Sequence, residues 1–368
     1  MMLVTVNSGS TSVKLATFEV RAGNVIRLQH EHRVGEALLP AEVLQAFVSK
    51  LSAAPEAIVH RVVHGGTRFR SPVIIDSSVL AGIAQLSELA PLHNPKALEW
   101  INAARQVCGR DVTQVAAFDT SFFSQLPRVA GEYALAAQYG TDAGVRRYGF
   151  HGLAHEALWK RWAQLHSDLP QGGRVITLQL GGGCSAAAID RGHPLDTSMG
   201  FSPLEGLVMA TRCGDLDAAV VPYLQRRLAR SADEIIELLN RDAGVAGMAG
   251  GITDLGQLAA DPSPRTQFAV DLYCYRARKY VGAYLTVLGG CDGIVFGGGV
   301  GEHVPAVRAR ILAGMEWAGI EIDAPANDRA RGQEARIDTT RGRVRVHVIP
   351  VEEEGIMVEG ARSLLSWN

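Results

Sequence analysis

Val4-Thr5-Val6-Asn7-Ser8-Gly9-Ser10-Thr11 is an apolar segment that ends in a turn of small residues. Leu178-Gln179-Leu180-Gly181-Gly182-Gly183-Cys184-Ser185 shows the same pattern further along the chain. Each segment precedes a second apolar stretch, at residues 12–18 and 186–190, so each predicts a β-hairpin. Gly/Ser turns point successive backbone N–H groups into a concavity that suits phosphate oxygens. The repeat predicts two similar halves that hold a polyphosphate between them, although two unrelated hairpins would also produce a match this short.

Apolar strands alternate with helical patterns along the rest of the chain. The predicted strands lie near residues 3–7, 12–19, 57–63, 112–118, 174–180, 185–190, 292–297 and 344–349. The predicted helices lie near residues 40–52, 77–89, 95–107, 153–166, 231–240, 264–289, 304–318 and 355–366. This alternation indicates an α/β protein with mixed or parallel sheets.

The composition is typical of a globular protein with more than one domain. The 368 residues exceed one ordinary hydrophobic core, and 47% of them are hydrophobic against 20% charged. A net charge of -2 provides no strong field for a nucleic acid or a membrane surface, so neither is expected as a partner. Five scattered cysteines, an N-terminus unlike a signal peptide and the absence of a long apolar run predict a cytoplasmic location.

Two polar clusters lie in the first third of the chain. Residues 7–14 form a polar hairpin with Lys14 just beyond the turn, which fits phosphate binding and fits an ordinary exposed hairpin equally well. Within residues 60–66, Arg61 lies in an apolar β run that ends in a glycine pair. A buried arginine is costly unless it is paired or meets an anion, and its planar guanidinium suits a carboxylate or a phosphate. Arg61 is therefore predicted either to be paired within the protein or to meet an anion such as a carboxylate or a phosphate.

A zinc site is the alternative interpretation of the histidine spacings in these motifs. His60 and His64 lack the intervening glutamate of H-E-x-x-H. On a strand, residues four apart are separated by about 13 Å, which is too far for one metal ion. His151 and His155 share the spacing at a predicted helix start, again without an acid between them. Neither pair is predicted to hold a metal.

Three further clusters lie in the second half. Residues 146–152 form a basic turn that leads into a helix, and residues 196–215 are small and polar with little periodicity. Long irregular segments inside a patterned chain are usually functional. The glycine-rich turn at residues 297–302 follows a predicted strand, where it would admit a nucleotide close to the backbone. Because the chain has neither GxGxxG spacing there nor a GxxxxGK[ST] motif, a Rossmann site and a P-loop are both disfavoured.

Together these motifs resemble those of the acetate kinase family, in the superfamily of acetate and sugar kinases, Hsp70 and actin. The matching stretches are V-N-S-G-S-T-S-V-K (6–14), H-R-V-V-H-G-G (60–66), P-L-H-N-P (91–95), F-D-T-S-F (118–122), R-R-Y-G-F-H-G (146–152), D-T-S-M-G-F-S-P-L-E-G (196–206), T-R-C-G-D (211–215), F-G-G-G-V-G-E (296–302) and V-I-P-V-E-E-E (348–354). The resemblance implies two ribonuclease-H-like (actin-like ATPase) domains with a cleft between them, in a homodimer. It places the N-terminal domain at residues 1–147 with a returning C-terminal helix at 354–368, and the nucleotide-binding domain at 148–353.

The resemblance also implies an activity, which is reversible phosphoryl transfer between ATP and acetate or another short carboxylate such as propionate. Mg²⁺ is the implied metal, with Mn²⁺ as an alternative. Asn7 and Glu353 resemble the residues that organise the metal, and Lys14 one that contacts phosphate. The other implied site residues are Asp119 (essential acid), His151 (transition-state stabiliser), Arg61 and Arg212 (carboxylate and phosphoryl group), and His93 (substrate contact). The implied nucleotide-binding residues are Gln179, Leu180, Gly181, Gly182, Gly183, Asp254, Leu255, Gly256, Gly298, Gly299, Val300, Gly301 and Glu302.

The chemistry explains why such residues are needed. A carboxylate nucleophile is already ionised at pH 7 and needs no general base. The obstacle is charge, because like charges 4 Å apart repel by about 4 kcal/mol at an effective dielectric constant near 20. Converging cations offset this repulsion and stabilise charge on the transferred group. Asp119 is therefore expected to hold Mg²⁺ through water or to orient an arginine, and a role as proton acceptor is less favoured.

The chain departs from the family motifs mainly on the nucleotide side. Gln179 and Gly182 replace a histidine and an asparagine, Gly256 replaces an arginine, and His303 replaces an asparagine. The motif T-N-E-E has become V-E-E-E at 351–354, and the carboxylate side is nearly intact. These departures leave open a kinase of the same fold with an altered phosphoryl donor, or a non-catalytic binding or regulatory relative. A sugar or polyol kinase would need a general base, and the two arginines argue against it.

Overall fold

Two six-stranded mixed sheets organise the chain, one in each of two compact units. The computed structural model describes residues 1–9, 12–21, 24–35 and 39–365. Unit 1 comprises Met1–Ser124, Phe150–Leu153 and Glu352–Asn368, and unit 2 comprises Gln125–Gly149 and Ala154–Val351. None of the described helices combines the length and the hydropathy that a membrane-spanning segment needs.

The sheet of unit 1 has the order β3-β2-β1-β4-β6-β5. Its strands are β1 (Met2–Ser8), β2 (Ser12–Arg21), β3 (Asn24–Val34), β4 (Ala57–Val62), β5 (Val73–Ile74) and β6 (Thr113–Phe118). The strands β1, β4 and β6 run parallel, whereas β2, β3 and β5 pair antiparallel with their neighbours. The carboxyl ends of the three parallel strands therefore meet at one edge of the sheet, where open α/β sheets usually bind ligands.

The helices that cover this sheet bury apolar faces against it. The described helices of unit 1 are α1 (Pro40–Val48), α2 (Ser77–Gln85), α3 (Asn94–Cys108) and α14 (Glu353–Leu364). Phe47 of α1 and Trp100 of α3 pack with Val4 and Leu15 in one core cluster. Asp76 caps α2 by accepting a hydrogen bond from the Val79 N–H at 2.7 Å, which satisfies one of the free donors of its first turn.

The sheet of unit 2 has the order β11-β12-β10-β7-β8-β9. Its strands are β7 (Arg174–Leu180), β8 (Cys184–Asp190), β9 (His193–Thr197), β10 (Gly293–Gly297), β11 (Ala335–Arg336) and β12 (Arg345–Val348). Its described helices are α4 (Arg128–Gly131), α6 (Val220–Leu228), α7 (Ala232–Arg241), α8 (Gly244–Met248), α9 (Leu255–Ala260), α10 (Pro264–Val287), α11 (Gly298–His303), α12 (Pro305–Leu312) and α13 (Ala324–Arg329). The helix α5 (Gly152–Leu165) begins at the end of the short stretch assigned to unit 1 and continues into unit 2.

The two sheets have the same topology. In each, an antiparallel hairpin (β1–β2 or β7–β8) carries a further antiparallel strand on one side. Beside the first strand of the hairpin, on its other side, the sheet continues with two strands parallel to it. A two-residue antiparallel strand then forms the edge. The repeat predicted from the two hairpin turns is therefore present in the strand order and direction of both units.

The strands and helices missed by the sequence patterns lie at the surface or are short. The strand β3 is an edge strand with no buried side chain among those described, so it lacks the apolar alternation that marks a half-buried strand. The helix predicted over 304–318 ends at Leu312, because Ala313 is extended and Gly314 has a φ of 76°. Helices of a single turn, such as α4, are too short for a periodic signal.

The chain crosses between the two units at different places from the boundaries expected from the sequence. Residues 125–147 group with unit 2, although they were expected to belong to the N-terminal domain, residues 1–147. Within unit 2 the Tyr148 N–H donates to the Gly200 carbonyl at 3.0 Å, and Arg147 forms an ion pair with Glu205. These contacts hold the basic turn against the polar segment 196–215.

Candidate active site

Three predicted site residues lie at the carboxyl ends of the parallel strands of unit 1. Asn7 is near the end of β1, Arg61 is near the end of β4, and Asp119 directly follows β6. The Asp119 N–H donates to the Val62 carbonyl at 3.0 Å, which continues the β4–β6 pairing by one residue. The parallel register therefore brings these three side chains to one edge of the sheet.

Arg61 and Asp119 form a bidentate ion pair. The Arg61 Nε lies 3.0 Å from Asp119 Oδ1, and Nη2 lies 2.6 Å from Oδ2. Burial raises the pKa of Asp119, and the Arg61 guanidinium opposes that rise. Burial works against the charge of Arg61, but Asp119 and neighbouring carboxylates outweigh it, so the pKa of Arg61 lies above its ordinary value. The guanidinium is thus held in a fixed plane and remains charged.

Asn7 joins this ion pair to two carboxylates of α14. Its Oδ1 accepts from Arg61 Nη1 at 3.2 Å, and its Nδ2 donates to Glu353 Oε2 at 2.7 Å and to Glu354 Oε1 at 2.9 Å. Both glutamates are buried, and both lie in the first turn of α14, where the helix dipole favours negative charge. The cluster therefore contains three carboxylates, those of Asp119, Glu353 and Glu354, and one guanidinium, that of Arg61. This excess of acidic groups favours a bound cation.

The remaining predicted residues of unit 1 are positioned by their backbones. Lys14 lies opposite Asn7 in the β1–β2 ladder, and His93 directly precedes α3. His151 directly precedes α5 with a φ of 58°, in the left-handed region that non-glycine residues seldom occupy. The next residue must be glycine, because a Cβ at Gly152 would lie 2.1 Å from the Asp119 carbonyl oxygen. His151 is thereby fixed in the chain beside Asp119.

In unit 2, Arg212 is a partly buried guanidinium without an acidic partner among the described residues. Its Nη1 donates to the Pro203 carbonyl at 3.2 Å and contacts the Met209 sulfur at 3.7 Å. Burial lowers the pKa of Arg212, although an arginine stays protonated at neutral pH. A partly desolvated cation that lacks a counter-ion is suited to an anionic ligand.

The glycine turn between β7 and β8 lies next to the segment that carries Arg212. The Gly182 carbonyl accepts from the Ala210 N–H at 3.1 Å, two residues before Arg212. A Cβ added at position 182 would meet no atom within 4 Å, so the backbone there is open where the family motif has an asparagine. The side-chain Oε1 of Gln179 is buried, and among the described residues nothing donates a hydrogen bond to it. Such an orphaned acceptor is available to a donor group of a ligand.

The second glycine turn, Gly298–Glu302, packs directly on the first. Gly298 has a φ of 76°, and a Cβ there would lie 2.6 Å from the Leu180 carbonyl and 3.0 Å from the Gln179 amide. The Glu302 carboxylate accepts from the Gly298 N–H at 2.9 Å and from the Val351 N–H at 3.2 Å. Glu302 therefore stabilises the turn internally, whereas Gly299 leaves open space beside the backbone.

The predicted residues Asp254, Leu255 and Gly256 begin α9. Asp254 is the N-cap of this helix, since its Oδ1 accepts from the N–H groups of Gly256 at 2.7 Å and Gln257 at 3.1 Å. Leu255 is buried. Gly256 lines a cavity of about 500 Å³, whose other lining residues include His303, Val304, Asn327, Asp328 and Arg331.

Arg308 supports the wall of this cavity, and the sequence patterns did not single it out. It is fully buried in α12, and no carboxylate pairs with it in the part of the chain that the structure describes. Its Nη1 donates to the carbonyls of Gly301 at 2.7 Å and Glu302 at 3.2 Å. Its Nε and Nη2 bond to Asn327, and Nη2 also bonds to the Ala330 carbonyl at 2.7 Å. A single guanidinium thus holds the glycine turn and the cavity wall together.

The acetokinase family model matches residues 22–359 of this chain. The chain belongs to the acetokinase family. An acetate kinase of this family from Solibacter usitatus is 38% identical over 399 residues, covering 96% of each chain. An acetate kinase from Chloroherpeton thalassium is 44% identical over 303 residues, covering 81% of this chain and 73% of that protein.

Solved structures of acetokinase relatives match the whole chain. An acetate kinase from Porphyromonas gingivalis has a TM-score of 0.87 at 33% identity, covering 99% of both chains. A propionate kinase from Francisella tularensis has a TM-score of 0.87 at 30% identity, covering 98% of both. These matches and the paired six-stranded sheets confirm the predicted α/β fold with two actin-like ATPase domains.

Membership of the acetokinase family implies ATP as co-substrate and a divalent metal. The residues of the candidate site fit such a metal. Among the described residues, no group of three or more His, Cys, Asp or Glu side chains is arranged to hold a metal ion. Mg²⁺, however, keeps several waters and is usually bound through one or two carboxylates together with substrate phosphates. Glu353 and Glu354 beside the Asn7 amide supply that donor set. Glu354 was not predicted, although it directly follows Glu353 in the acidic run 352–354.

Proposed function

We propose that this chain transfers the terminal phosphoryl group of ATP to the carboxylate of acetate or propionate, in a reversible reaction. The observation that carries the proposal is Arg212, a partly buried cation without an acidic partner among the described residues of an acetokinase. Phosphoryl transfer to a carboxylate needs cations at the reacting oxygens and no general base. The two alternatives, a kinase of this fold with an altered donor and a non-catalytic relative, are not favoured by the family match.

In this proposal Arg61 binds the substrate carboxylate. Asp119 already occupies its Nε and Nη2, so Arg61 presents Nη1, which now contacts Asn7. This geometry favours the second of the two roles expected for Asp119, in which it orients an arginine. Arg212 and His151 stabilise charge on the phosphoryl group during transfer, and His93 contacts the substrate. When bound, the divalent metal neutralises charge on the nucleotide phosphates.

On the nucleotide side, the proposal assigns phosphate binding to Lys14 and to the backbone N–H groups of the two glycine turns. Asn7, Glu353 and Glu354 would hold the metal. Gln179–Gly183 and Gly298–Glu302 present open backbone at Gly182 and Gly299. The cavity beside Gly256 receives the nucleoside. Leu180, Leu255 and Glu302 support this site from within the protein, because they are buried or bonded internally.

We further infer Mg²⁺ as the physiological metal, a homodimer and a cytoplasmic location. Phe268 and Tyr275 are exposed aromatic residues seven positions apart on α10, so they share one helix face, which supports a self-association surface there. The free cysteines among the described residues suit a reducing compartment. Sedimentation equilibrium of the wild type and of Tyr275→Lys tests the dimer, which the lysine should weaken.

A direct assay tests the proposed reaction. The purified chain is incubated with ATP, MgCl₂ and either acetate, propionate or butyrate, and acyl phosphate is trapped as hydroxamate. We expect turnover with acetate or propionate, and loss of at least 100-fold in kcat/KM for Arg212→Ala. The matched control Arg227→Ala removes an exposed arginine in the last turn of α6. The proposal is wrong if no carboxylate is phosphorylated, or if Arg212→Ala is as active as the control.

A further inference from the structure

The loop that carries Arg212 is closed at its base. The Gly206 N–H donates to Asp215 Oδ1 at 2.9 Å, and the Asp215 N–H donates to the Gly206 carbonyl at 2.9 Å. Tyr280 of α10 donates its hydroxyl to Asp215 Oδ2 at 2.9 Å. These bonds fix where residues 206–215 begin and end, but they leave the Arg212 side chain to be oriented by another contact.

Besides the Met209 sulfur within the loop, an orienting contact comes from the segment before the loop. The Pro203 carbonyl accepts from Arg212 Nη1 at 3.2 Å. Pro203 lies in the irregular stretch between β9 and the loop, where no sheet ladder holds the backbone. The position of the Arg212 guanidinium therefore depends on what anchors this stretch.

Glu205, two residues after Pro203, is the anchor. Tyr133 donates its hydroxyl to Glu205 Oε2, and Arg147 Nη2 donates to Oε1 at 2.5 Å. Arg147 in turn donates from Nη1 to the carbonyls of Thr197 and Ser198, both at 3.2 Å. Its guanidinium also lies over the Tyr133 ring, 5.7 Å from the centroid. One ion pair thus ties both ends of the stretch 197–205 to the segment 133–147.

Gly200 shows how closely this anchor is packed. A Cβ at position 200 would lie 1.6 Å from Glu205 Oε2 and 2.2 Å from the Tyr133 hydroxyl. The next residue, Phe201, donates its N–H to the Tyr133 hydroxyl at 2.8 Å. Glycine at position 200 therefore leaves the space in which Glu205 and Tyr133 meet.

We propose that Glu205 is a positioning residue for Arg212. Tyr133 and Arg147 form a clamp that fixes the position of the Glu205 carboxylate. Glu205 thereby fixes the nearby Pro203 carbonyl, which orients the Arg212 guanidinium. Glu205 has no assigned contact with either substrate, so its effect passes through Arg212. The proposal rests on the proposed function, in which Arg212 stabilises the phosphoryl group in transfer. A displacement of about 1 Å at such a group costs on the order of 100-fold in rate.

The test is a double-mutant cycle on the full chain, with Glu205→Ala, Arg212→Ala and the pair. In the wild-type background we expect Glu205→Ala to lower kcat by about 10- to 100-fold and to change the KM for ATP by less than about twofold. In the Arg212→Ala background Glu205→Ala should lower kcat no further, because the arginine side chain that Glu205 positions is already absent. Independent, multiplying losses would overturn the proposal, as would a Glu205→Ala variant with wild-type kcat.

Two further variants separate positioning from a general loss of structure. Glu205→Gln keeps an acceptor for Tyr133 and Arg147, so it should recover most of the kcat lost in Glu205→Ala. The matched control Glu237→Ala removes an exposed glutamate paired with Arg241 in α7, and should leave kcat unchanged. If Glu205→Ala does not fold, Tyr133→Phe removes one of the two clamp bonds and should show the same cycle with a smaller loss. A Glu205→Gln variant as slow as Glu205→Ala would contradict the clamp geometry.

A readout that does not need turnover separates this proposal from the proposed function. Hydrogen–deuterium exchange of a peptide covering residues 203–215 should be faster in Glu205→Ala than in wild type or Glu237→Ala. If wild type phosphorylates no carboxylate but the exchange result holds, the proposed function fails and the clamp stands. If wild type is active and exchange is unchanged in Glu205→Ala, the positioning role is wrong.

Discussion

The two arginines proposed to bind oxyanions have opposite local environments. Arg61 is held by a bidentate carboxylate, whereas Arg212 bonds to a backbone carbonyl and has no acidic partner among the described residues. Arg61 is therefore held rigidly in its charged form. Arg212 has a positive charge that no carboxylate of the described residues neutralises, so it can attract an incoming anion. We expect a single ammonium group to replace neither, because it lacks the planar fork of N–H donors.

This contrast predicts different kinetic effects for the two lysine substitutions. Arg61→Lys should mainly raise the KM for the carboxylate, because the bidentate contact that orients the binding group is lost. Arg212→Lys should mainly lower kcat, by about 10- to 1000-fold, because charge stabilisation in the transition state is lost. Initial-rate kinetics with varied acetate and ATP measure both. Arg128→Lys, at an exposed arginine paired with Glu132, is the control, and equal kcat/KM in all three variants would refute the assignment.

Buried histidines make the protein sensitive to acid. Burial lowers the pKa of His60 to about 4, and its Nε2 is hydrogen-bonded to Gln114 Oε1 at 2.8 Å. The unfolded chain binds this proton near the ordinary value of 6.5, so unfolding takes up a proton between about pH 6.5 and 4. Stability is therefore complete above pH 6.5 and falls as the pH decreases, by about 1.4 kcal/mol per pH unit for each such histidine.

The paired substitution His60→Phe with Gln114→Leu tests this linkage. It removes the titrating ring and its partner together, so that no buried polar group is left unpaired. Urea unfolding at pH 7.0, 6.0 and 5.0 should show a shallower acid loss in the pair than in wild type. His32→Phe changes an exposed histidine of β3 and is the control. A pair with the wild-type slope would show that His60 does not contribute.

At the scale of elements, the proposed site should bind phosphate better than it binds the nucleoside. The backbone is open at Gly182 and Gly299. At positions 182 and 256, however, glycine stands where the family motifs have an asparagine and an arginine. A lost hydrogen bond costs about 0.5–1.5 kcal/mol. We therefore expect a raised KM for ATP and weak discrimination among ATP, GTP and other triphosphates, with pyrophosphate as the less favoured donor.

A donor panel at fixed acetate and Mg²⁺ measures this selectivity. Gly256→Arg should lower the KM for ATP more than that for GTP, since the side chain can extend into the cavity once Asp254 Oδ1, 3.1 Å from an added Cβ, shifts by a few tenths of an ångström. Gly282→Arg, at a helical glycine of α10 whose added Cβ would meet no atom within 4 Å, is a control for the charge alone. A low-micromolar KM for ATP with strong rejection of GTP would show that other residues recognise the base.

Strands could be predicted from the sequence where their apolar side chains are buried. Contacts between residues far apart in the sequence could not be predicted. The hairpins β1–β2 and β7–β8 were predicted because their strands are apolar and buried, whereas the exposed edge strand β3 carries no such pattern. The motif resemblance named Asn7, Arg61 and Asp119 as candidates, and the structure brings these three residues to one edge of the sheet. The partners of Arg308 and Glu205 were not predictable from local patterns. Tyr133 lies 72 residues before Glu205, and only the folded chain brings them together.

At the scale of the whole molecule, the last described helix completes the first unit. Met357 of α14 is fully buried, and α14 packs against β1, β4 and β6. Met357→Ala should therefore lower the free energy of unfolding by about 2–5 kcal/mol through lost burial and a new cavity. Met357→Leu nearly conserves volume and should cost less than about 1.5 kcal/mol. Urea denaturation at pH 7 measures both, and equal losses would show that packing at this position does not decide stability.

The contact between Asn7 and α14 also sets an order of events during synthesis. The acceptors of the Asn7 amide lie 346 and 347 residues further along the chain. Ribosomes add about 5–20 residues per second, so the first strand waits on the order of tens of seconds for them. Throughout that time the face of β1, β4 and β6 that α14 will cover is open to other hydrophobic surfaces. We therefore expect the nascent chain to be prone to aggregation over this interval, and the candidate metal ligands Glu353 and Glu354 follow every strand of unit 1 in the order of synthesis.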